Sequence, residues 1–119
     1  MTPTPYVIYH NPRCSKSRQT LQRLRDAGVE PEIVEYLTTP PDAATLDAIL
    51  QALGKEPQDI IRRGEAVYKE LGLADRSPSR AEWLDILVAH PILIERPIVV
   101  HGPAACLGRP PENVDALIG

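Results

Sequence analysis

Residues 6–37, YVIYHNPRCSKSRQTLQRLRDAGVEPEIVEYL, contain two β-type runs separated by one helical segment. The first run, 6–9, is broken by a proline at position 12, and the second covers 32–37. The segment 15–27 between them has helical character. Strand, helix and strand in this order predict a parallel pair of strands joined by a crossover helix.

The helix in this stretch is predicted from a narrow apolar stripe. Leu21, Leu24 and Ala27 recur at a spacing of three residues, which places them on one face of a helix. Gly28 follows the stripe and is a typical C-terminal cap, because glycine readily adopts the left-handed conformation that ends many helices. We therefore expect the helix to end close to residue 27.

The next section, about 40–91, is predicted to be helical throughout. Asp42 follows two prolines and is typical of a helix start, and Gly54 closes an element with apolar residues at helical spacing. Short helical pieces follow near 60–61 and 66–71. Ser79 and Glu82 match a capping box and open a helix that ends before Pro91.

The chain then returns to β-type sequence. Runs at 98–100 and 104–107 predict two more strands, with a tight turn between them, and a last short helix runs from 110 to 118. The complete order is βαβ, a helical block, then ββα. We therefore predict an α/β fold with a thioredoxin-like βαβ–ββα core and a helical insertion between strands 2 and 3, all in one domain covering 1–119.

Composition excludes several function classes. The formal net charge of the 119-residue chain is only −3, so there is no basic field to hold nucleic acid or an anionic membrane. No apolar run approaches the roughly 20 residues that span a bilayer. The first residues lack a positive segment followed by an apolar one, so no signal peptide is expected and the predicted location is cytoplasmic.

The chain has two cysteines, Cys14 and Cys106. Two are too few for a disulfide framework, and their spacing does not fit a zinc site, so no metal is predicted. Both thiols are therefore free to react or simply to pack.

Cys14 is the candidate nucleophile. It follows a strand at the point where a helix begins, and the unpaired N–H groups of a helix start stabilise a thiolate and can also hold an oxyanion. Arg13, Lys16 and Arg18 add cations nearby, and the Ser17 hydroxyl could donate to the sulfur. The alternative is a buried structural cysteine, but core cysteines are not usually flanked by arginine and lysine.

Ser17 stands where a dithiol oxidoreductase would have its second cysteine. A cysteine without such a neighbour needs an outside thiol to complete a redox cycle. Cys106 could supply that thiol, although its apolar strand-like surroundings are more typical of packing.

Several arginines are candidates for binding an oxyanion, because the planar N–H donors of arginine suit tetrahedral oxyanions. Arg62 and Arg63 end an apolar stretch, whereas Arg96 and Arg109 each precede a proline at the start of an element. Taken alone, each is more typical of a solvated surface arginine. The starts of the predicted strand and helix bring Arg96 and Arg109 toward the active edge of the sheet.

The segment HNPRCSKSR at 10–18 resembles the His-x3-Cys-x3-Arg signature of thioredoxin-fold arsenate reductases of the glutathione- and glutaredoxin-coupled family. The resemblance continues through YKELGLAD at 68–75, HPILIERPIVV at 90–100 and GRPPENV at 108–114, and so covers the chain in order. It implies Cys14 as the catalytic nucleophile. The short chain resembles the housekeeping branch of that family more than its longer members.

The resemblance also implies roles for five other residues. Arg62, Arg96 and Arg109 match the three substrate-binding arginines, with Arg62 chosen over its neighbour because it lies six residues before a tyrosine. His10 and Ser17 match positions that support the thiolate. A cis peptide before Pro97 is implied as well.

The function implied is reduction of arsenate to arsenite in arsenic detoxification. The implied partners are arsenate or a similar oxyanion, glutathione as co-substrate and glutaredoxin, with no bound cofactor. One alternative keeps the thiol chemistry but takes another small oxidised substrate with glutathione. The other is an Spx-type regulator that binds RNA polymerase, which characteristically carries a Cys-x-x-Cys switch that Ser17 removes.

Overall fold

The computed structural model describes residues 4–118. Within that range the chain forms four β-strands and five α-helices, connected by short 3₁₀ turns. In chain order these are β1 Tyr6–Tyr9, α1 Ser15–Asp26, β2 Glu32–Val34, α2 Ala43–Leu53, α3 Ala66–Glu70, α4 Arg80–Ala89, β3 Ile98–His101, β4 Ala104–Leu107 and α5 Asp115–Ile118.

The four strands form one mixed sheet in the order β2-β1-β3-β4. β1 pairs in parallel with β2 and antiparallel with β3, and β3 pairs antiparallel with β4. Ile8 lies opposite Ile33 on one side and opposite Val99 on the other. The predicted βαβ–ββα arrangement is therefore confirmed, with the helical block between β2 and β3.

The chain divides into two compact units. The first comprises Met1–Thr39 and Arg96–Gly119 and holds the sheet with α1 and α5. The second is Pro40–Glu95 and holds α2, α3 and α4, where the sequence predicts an insertion over 40–91.

The core of the first unit lies between α1 and the sheet. Leu21 and Leu24 of α1 pack with Ile8, Val99 and Val114, all of them buried. This contact fixes the rotation of α1 about its axis, and with it the direction in which the start of the helix faces.

The buried stripe of α1 differs from the predicted one. Ala27 is exposed because α1 ends at Asp26, and Gly28, with φ of 84°, turns the chain away. The stripe instead extends toward the start of the helix through Thr20 and Ser17, both fully buried. Polar residues on a buried face are invisible to an apolar pattern, and here they are the ones nearest the candidate site.

β2 is also shorter than the predicted 32–37. Val34 accepts the N–H of His10 at 2.8 Å, after which β1 has ended and offers no further partner. The carbonyl of Glu35 instead accepts the N–H groups of Thr38 and Thr39 in a turn. The apolar run therefore continues past the strand, and its Tyr36 is buried outside the sheet.

The second unit follows the predicted helix signals closely. The Asp42 side chain accepts the N–H of Thr45 at the start of α2, and Ser79 and Glu82 form the predicted capping box at the start of α4. α2 packs against α4 over a buried apolar core. That core includes Leu46, Ile49, Leu50, Ile60, Leu73, Trp83, Leu87 and Leu93.

Candidate functional site

Cys14 occupies the N-cap position of α1, in extended backbone conformation. Its N–H donates to the carbonyl of Asn11 at 3.0 Å, and its carbonyl accepts the N–H of Arg18 at 3.0 Å as the first bond of the helix. Among the described residues no side chain caps this end of α1. The N–H groups of the first turn are therefore available to the sulfur, as the sequence predicts.

The surroundings of Cys14 favour the thiolate. Partial burial raises the pKa of the thiol, because it disfavours the charged form. The main-chain N–H groups of Ser17 and Lys16 and the guanidinium of Arg96 lower the pKa, and together they outweigh burial. The pKa of Cys14 therefore lies below its ordinary value.

We expect alkylation of Cys14 by iodoacetamide to follow a titration with a midpoint below the free-thiol value of about 8.5. A lowered pKa in the folded state also means that the thiolate stabilises the fold above the unfolded pKa, and that this contribution is lost as pH falls through the folded pKa. Alkylation rates measured against pH in Cys106→Ser provide the test. A midpoint at or above the free-thiol value would contradict it.

Two arginines of the same unit lie at the sulfur. Arg96 donates a hydrogen bond to Cys14, and Nη1 of Arg109 lies 3.9 Å from Sγ of Cys14 and 3.5 Å from the carbonyl oxygen of Arg96. Each arginine precedes a cis proline, Pro97 as the resemblance implies, and Pro110 in addition. Two of the three predicted substrate-binding arginines therefore lie beside the candidate nucleophile, Cys14.

The sequence predicts that the cations flanking Cys14 act on its sulfur, and the structure differs from this prediction. The charge that lowers the pKa of Cys14 is that of Arg96, whereas Lys16 contributes through its main-chain N–H. Arg18 donates from Nη1 to the carbonyl of Pro12 at 2.9 Å. The side-chain cation that lowers the pKa of Cys14 therefore comes from Arg96, which is distant from Cys14 in the sequence.

His10 and Ser17 form a buried polar pair behind Cys14. Nδ1 of His10 and Oγ of Ser17 share a hydrogen bond of 2.7 Å, and the N–H of Asn11 donates to the same Oγ at 3.0 Å. The hydroxyl expected at the sulfur therefore joins α1 to the loop before it. Burial lowers the pKa of His10, and the opposing charge of Glu35 does not reverse this, so the imidazole is neutral near pH 7.

Sequence reasoning missed a second connection, between α1 and the segment that carries Arg109. Oγ1 of Thr20 lies 2.8 Å from the carbonyl oxygen of Lys16 and 3.2 Å from that of Gly108. The N–H of Gly108 donates to the carbonyl of Pro97 at 2.9 Å. A Cβ at Gly108 would lie 2.5 Å from Oγ1 of Thr20, so this approach requires glycine in the present geometry. The only local signal is a threonine on the stripe that includes Leu21 and Leu24.

Replacing Thr20 with valine is expected to destabilise the protein and weaken turnover. Valine keeps the shape but removes the one hydroxyl donor that the carbonyl groups of Lys16 and Gly108 share, and leaving a buried acceptor without its donor costs about 1–3 kcal/mol. Thr20→Ser retains the hydroxyl and is expected to lose much less. Urea unfolding of both variants measures the difference, and equal stability of Thr20→Val and the parent protein would contradict the assignment.

Arg62 belongs to the second unit and is engaged there. Its Nε donates to Glu65 at 3.1 Å, and its Nη1 donates to Glu95 at 2.9 Å. Arg63 is exposed, and its Nη2 lies 3.5 Å from the carbonyl oxygen of Gln58. The assignment of Arg62 as a substrate ligand remains a prediction.

Cys106 has the environment of a packing residue. It lies on β4 opposite Val99 and packs against the core cluster of the first unit. Burial raises the pKa of its thiol to about 11. At neutral pH this thiol is therefore protonated and a poor nucleophile.

Within residues 4–118, no group of three or more histidine, cysteine and carboxylate side chains is placed to hold a metal ion. None of the helices in that range is long and apolar enough to cross a membrane.

The mixed sheet and its βαβ–ββα order define a thioredoxin-like fold, with Cys14 at the start of its first helix. Residues 9–117 match the model of the ArsC family, and the chain belongs to that family.

Relatives and solved structures agree with this assignment. The chain is 53% identical to the Escherichia coli K12 protein named uncharacterized protein YfgD, over 94% of this chain and 95% of that protein. It is 49% identical to an arsenate reductase of Rhizobium meliloti, over 91% of this chain and 77% of the relative. The structure of an arsenate reductase from Vibrio cholerae superimposes with a TM-score of 0.91 at 44% identity, covering 97% of this chain and 98% of the other.

Proposed function

We propose that this protein is a thiol-dependent reductase that converts arsenate to arsenite with Cys14 as its nucleophile. The observation that carries the proposal is the placement of Cys14 at the start of a 12-residue helix, with a lowered pKa and the guanidinium of Arg109 at 3.9 Å. The arsenate reductases among the relatives, which match most of the chain, support the substrate.

The first step is attack of the Cys14 thiolate on arsenic. The first-turn N–H groups of α1 and the guanidinium groups of Arg96 and Arg109 hold the oxyanion and stabilise the charge that builds up on its oxygens. A sulfur–arsenic bond forms, and one arsenate oxygen takes up a proton and leaves as water. By resemblance, Arg62 is the third arginine ligand.

Glutathione supplies the second thiol. A disulfide bond forms between its sulfur and that of Cys14, the sulfur–arsenic bond breaks, and its electron pair stays on arsenic, which leaves as arsenite. A glutaredoxin thiol then removes glutathione and restores the Cys14 thiol. The cycle needs no second cysteine of this chain. It requires a compartment where thiols are kept reduced, and the cytoplasm is therefore the proposed location.

A second candidate is reduction of another small oxidised molecule by the same thiol chemistry. The observation in its favour is that Arg62 forms ion pairs with two carboxylates, those of Glu65 and Glu95. These ion pairs occupy N–H donors of Arg62 that a doubly charged substrate would otherwise use.

A steady-state assay with arsenate, glutathione and glutaredoxin tests the proposal. Glutathione oxidation that requires arsenate and is lost in Cys14→Ser is the expected result. If Cys14 forms a mixed disulfide with glutathione but arsenate adds no turnover, the substrate is a different oxidised molecule. If the protein instead binds RNA polymerase and shows no thiol turnover, the regulator alternative replaces both.

A further inference from the structure

A cavity of about 370 Å³ lies within the second unit. All of its lining residues fall between Gln58 and Trp83, and none of them has a role in the mechanism proposed above. The cavity is large enough for a small organic molecule, because ligand pockets in proteins begin at about 300 Å³.

The backbone around the cavity is held by hydrogen bonds on two sides. The N–H of Arg62, which lies between two lining residues, donates to the carbonyl of Leu93 at 2.8 Å. The N–H of Trp83 donates to the carbonyl of Ser79 at 2.9 Å within the first turn of α4. The cavity is therefore preformed, as small-molecule sites usually are.

The apolar part of the lining consists of Ile61, Leu73 and Trp83, all buried, together with the half-buried Tyr68. Trp83 is only 6% exposed, yet its indole N–H forms no hydrogen bond with any residue in 4–118. A buried indole N–H usually has an acceptor. An oxygen atom of a ligand in the cavity would provide one.

Two arginines line the cavity, and neither is paired with a carboxylate. The second unit contains four arginines. Arg62 and Arg80 each form two salt bridges, whereas Arg63 and Arg76 form none with the residues that the structure describes. The described lining residues include no carboxylate, so nothing in the lining neutralises these two charges.

One carboxylate outside the lining, that of Glu82, interacts with the charge of Arg76. Hydrogen bonds with Ser79 are the main cause of the lowered pKa of Glu82, and the charge of Arg76 is a smaller one. Oε1 of Glu82 already accepts the N–H of Ser79 at 3.0 Å in the capping box of α4. The N–H donors of Arg76 are therefore available to a ligand.

We propose that this cavity binds a small organic anion that has one carboxylate or phosphate group and a planar apolar part. Arg63 and Arg76 supply the charge and the planar donors that suit carboxylate and phosphate oxygens. The apolar part of the ligand packs against Trp83 and Tyr68. The inference does not rest on the proposed function, because the arsenate mechanism uses no residue of this cavity.

The test uses the fluorescence of Trp83, which is the only tryptophan in the sequence and lines the cavity. The full-length protein is titrated with benzoate and with phenyl phosphate at constant ionic strength. Benzyl alcohol is the neutral analogue, and inorganic phosphate is the anion without a ring. We expect a saturable change in fluorescence with the aromatic anions, and the one with the lower Kd identifies the preferred anionic group.

Arg63→Gln and Arg76→Gln are each expected to raise the Kd of that probe by about 5–10-fold, as expected for one charge-assisted hydrogen bond at a partly solvated site. Lys69→Gln is the matched control and should behave as the parent protein. It makes the same change of net charge on the exposed surface of α3 without lining the cavity. Both arginines are exposed, and urea unfolding of each variant checks that the fold is retained.

Three results would overturn the proposal. The first is the absence of a saturable change with either aromatic anion. The second is equal affinity for benzyl alcohol or for inorganic phosphate, since either would show that only one part of the proposed ligand contributes to binding. The third is a Kd that the two arginine substitutions leave unchanged, or that Lys69→Gln raises equally.

Discussion

Cys14→Ser is expected to abolish arsenate turnover completely, whereas Cys106→Ser is expected to retain it within a few-fold. The two thiols differ in environment, because the pKa of Cys14 is lowered by helix N–H groups and Arg96, whereas burial raises the pKa of Cys106 to about 11. A serine hydroxyl at position 14 has no comparable anionic form near neutral pH. Steady-state turnover of both variants at matched concentration measures the contrast.

Mass spectrometry sharpens this comparison. Cys106→Ser trapped with glutathione should carry one glutathione on Cys14, and Cys14→Ser should carry none. Circular dichroism of both variants checks that the fold is retained, so that a loss of turnover can be assigned to the missing thiol. If both variants are inactive, a disulfide relay between the two cysteines is the better model.

The fold was largely predictable because its signals are local. The Ser79–Glu82 capping box and the Asp42 cap each lie within four residues, and the structure forms both. The parallel pairing of β1 with β2 was predictable from the helical crossover that joins them. The end of β2 was not predictable, because the β-type run continues to Leu37 while the partner strand has already ended at Tyr9.

The candidate site likewise combines local features, which could be predicted from the sequence, with long-range contacts, which could not. Cys14 could be identified because the strand, the helix start and the nucleophile are contiguous. The bond from Thr20 to Gly108 spans 88 residues and the ion pair from Arg62 to Glu95 spans 33, so neither leaves a pattern in a local window. The sequence supplied the residue types at the site, but not which carboxylates or carbonyls each would meet.

Arg96 shows that the contacts a side chain makes in the fold, and not its residue type alone, determine its effect on Cys14. Three cations are neighbours of Cys14 in the sequence. The guanidinium that lowers the pKa of its thiol is that of Arg96, just before β3. Arg96 lowers the pKa of Cys14, and in the proposed mechanism it also holds the oxyanion, so experiment can separate the two effects. Nη1 of Arg109 lies 3.9 Å from Sγ of Cys14, and in the proposed mechanism Arg109 acts by holding the oxyanion.

Arg96→Ala and Arg109→Ala are each expected to reduce kcat/KM for arsenate by about 10² to 10³, the usual effect of losing one preorganised donor to a developing oxyanion. Arg96→Lys should not restore activity, because a point charge cannot reproduce a planar two-point contact. Arg62→Ala should cost less, since its guanidinium already serves two carboxylates. Steady-state kinetics with varied arsenate measure all four variants.

Alkylation by a neutral reagent then separates binding from thiol activation. Arg96→Ala should raise the midpoint of the Cys14 titration, because it removes a hydrogen bond and a charge that lower the pKa. Arg109→Ala should leave that midpoint nearer the parent value while losing arsenate turnover. Arg63→Ala is the control, since its exposed side chain makes only a long contact at 3.5 Å with a carbonyl. Near-normal arsenate turnover in both Arg96→Ala and Arg109→Ala would reject an oxyanion site at Cys14.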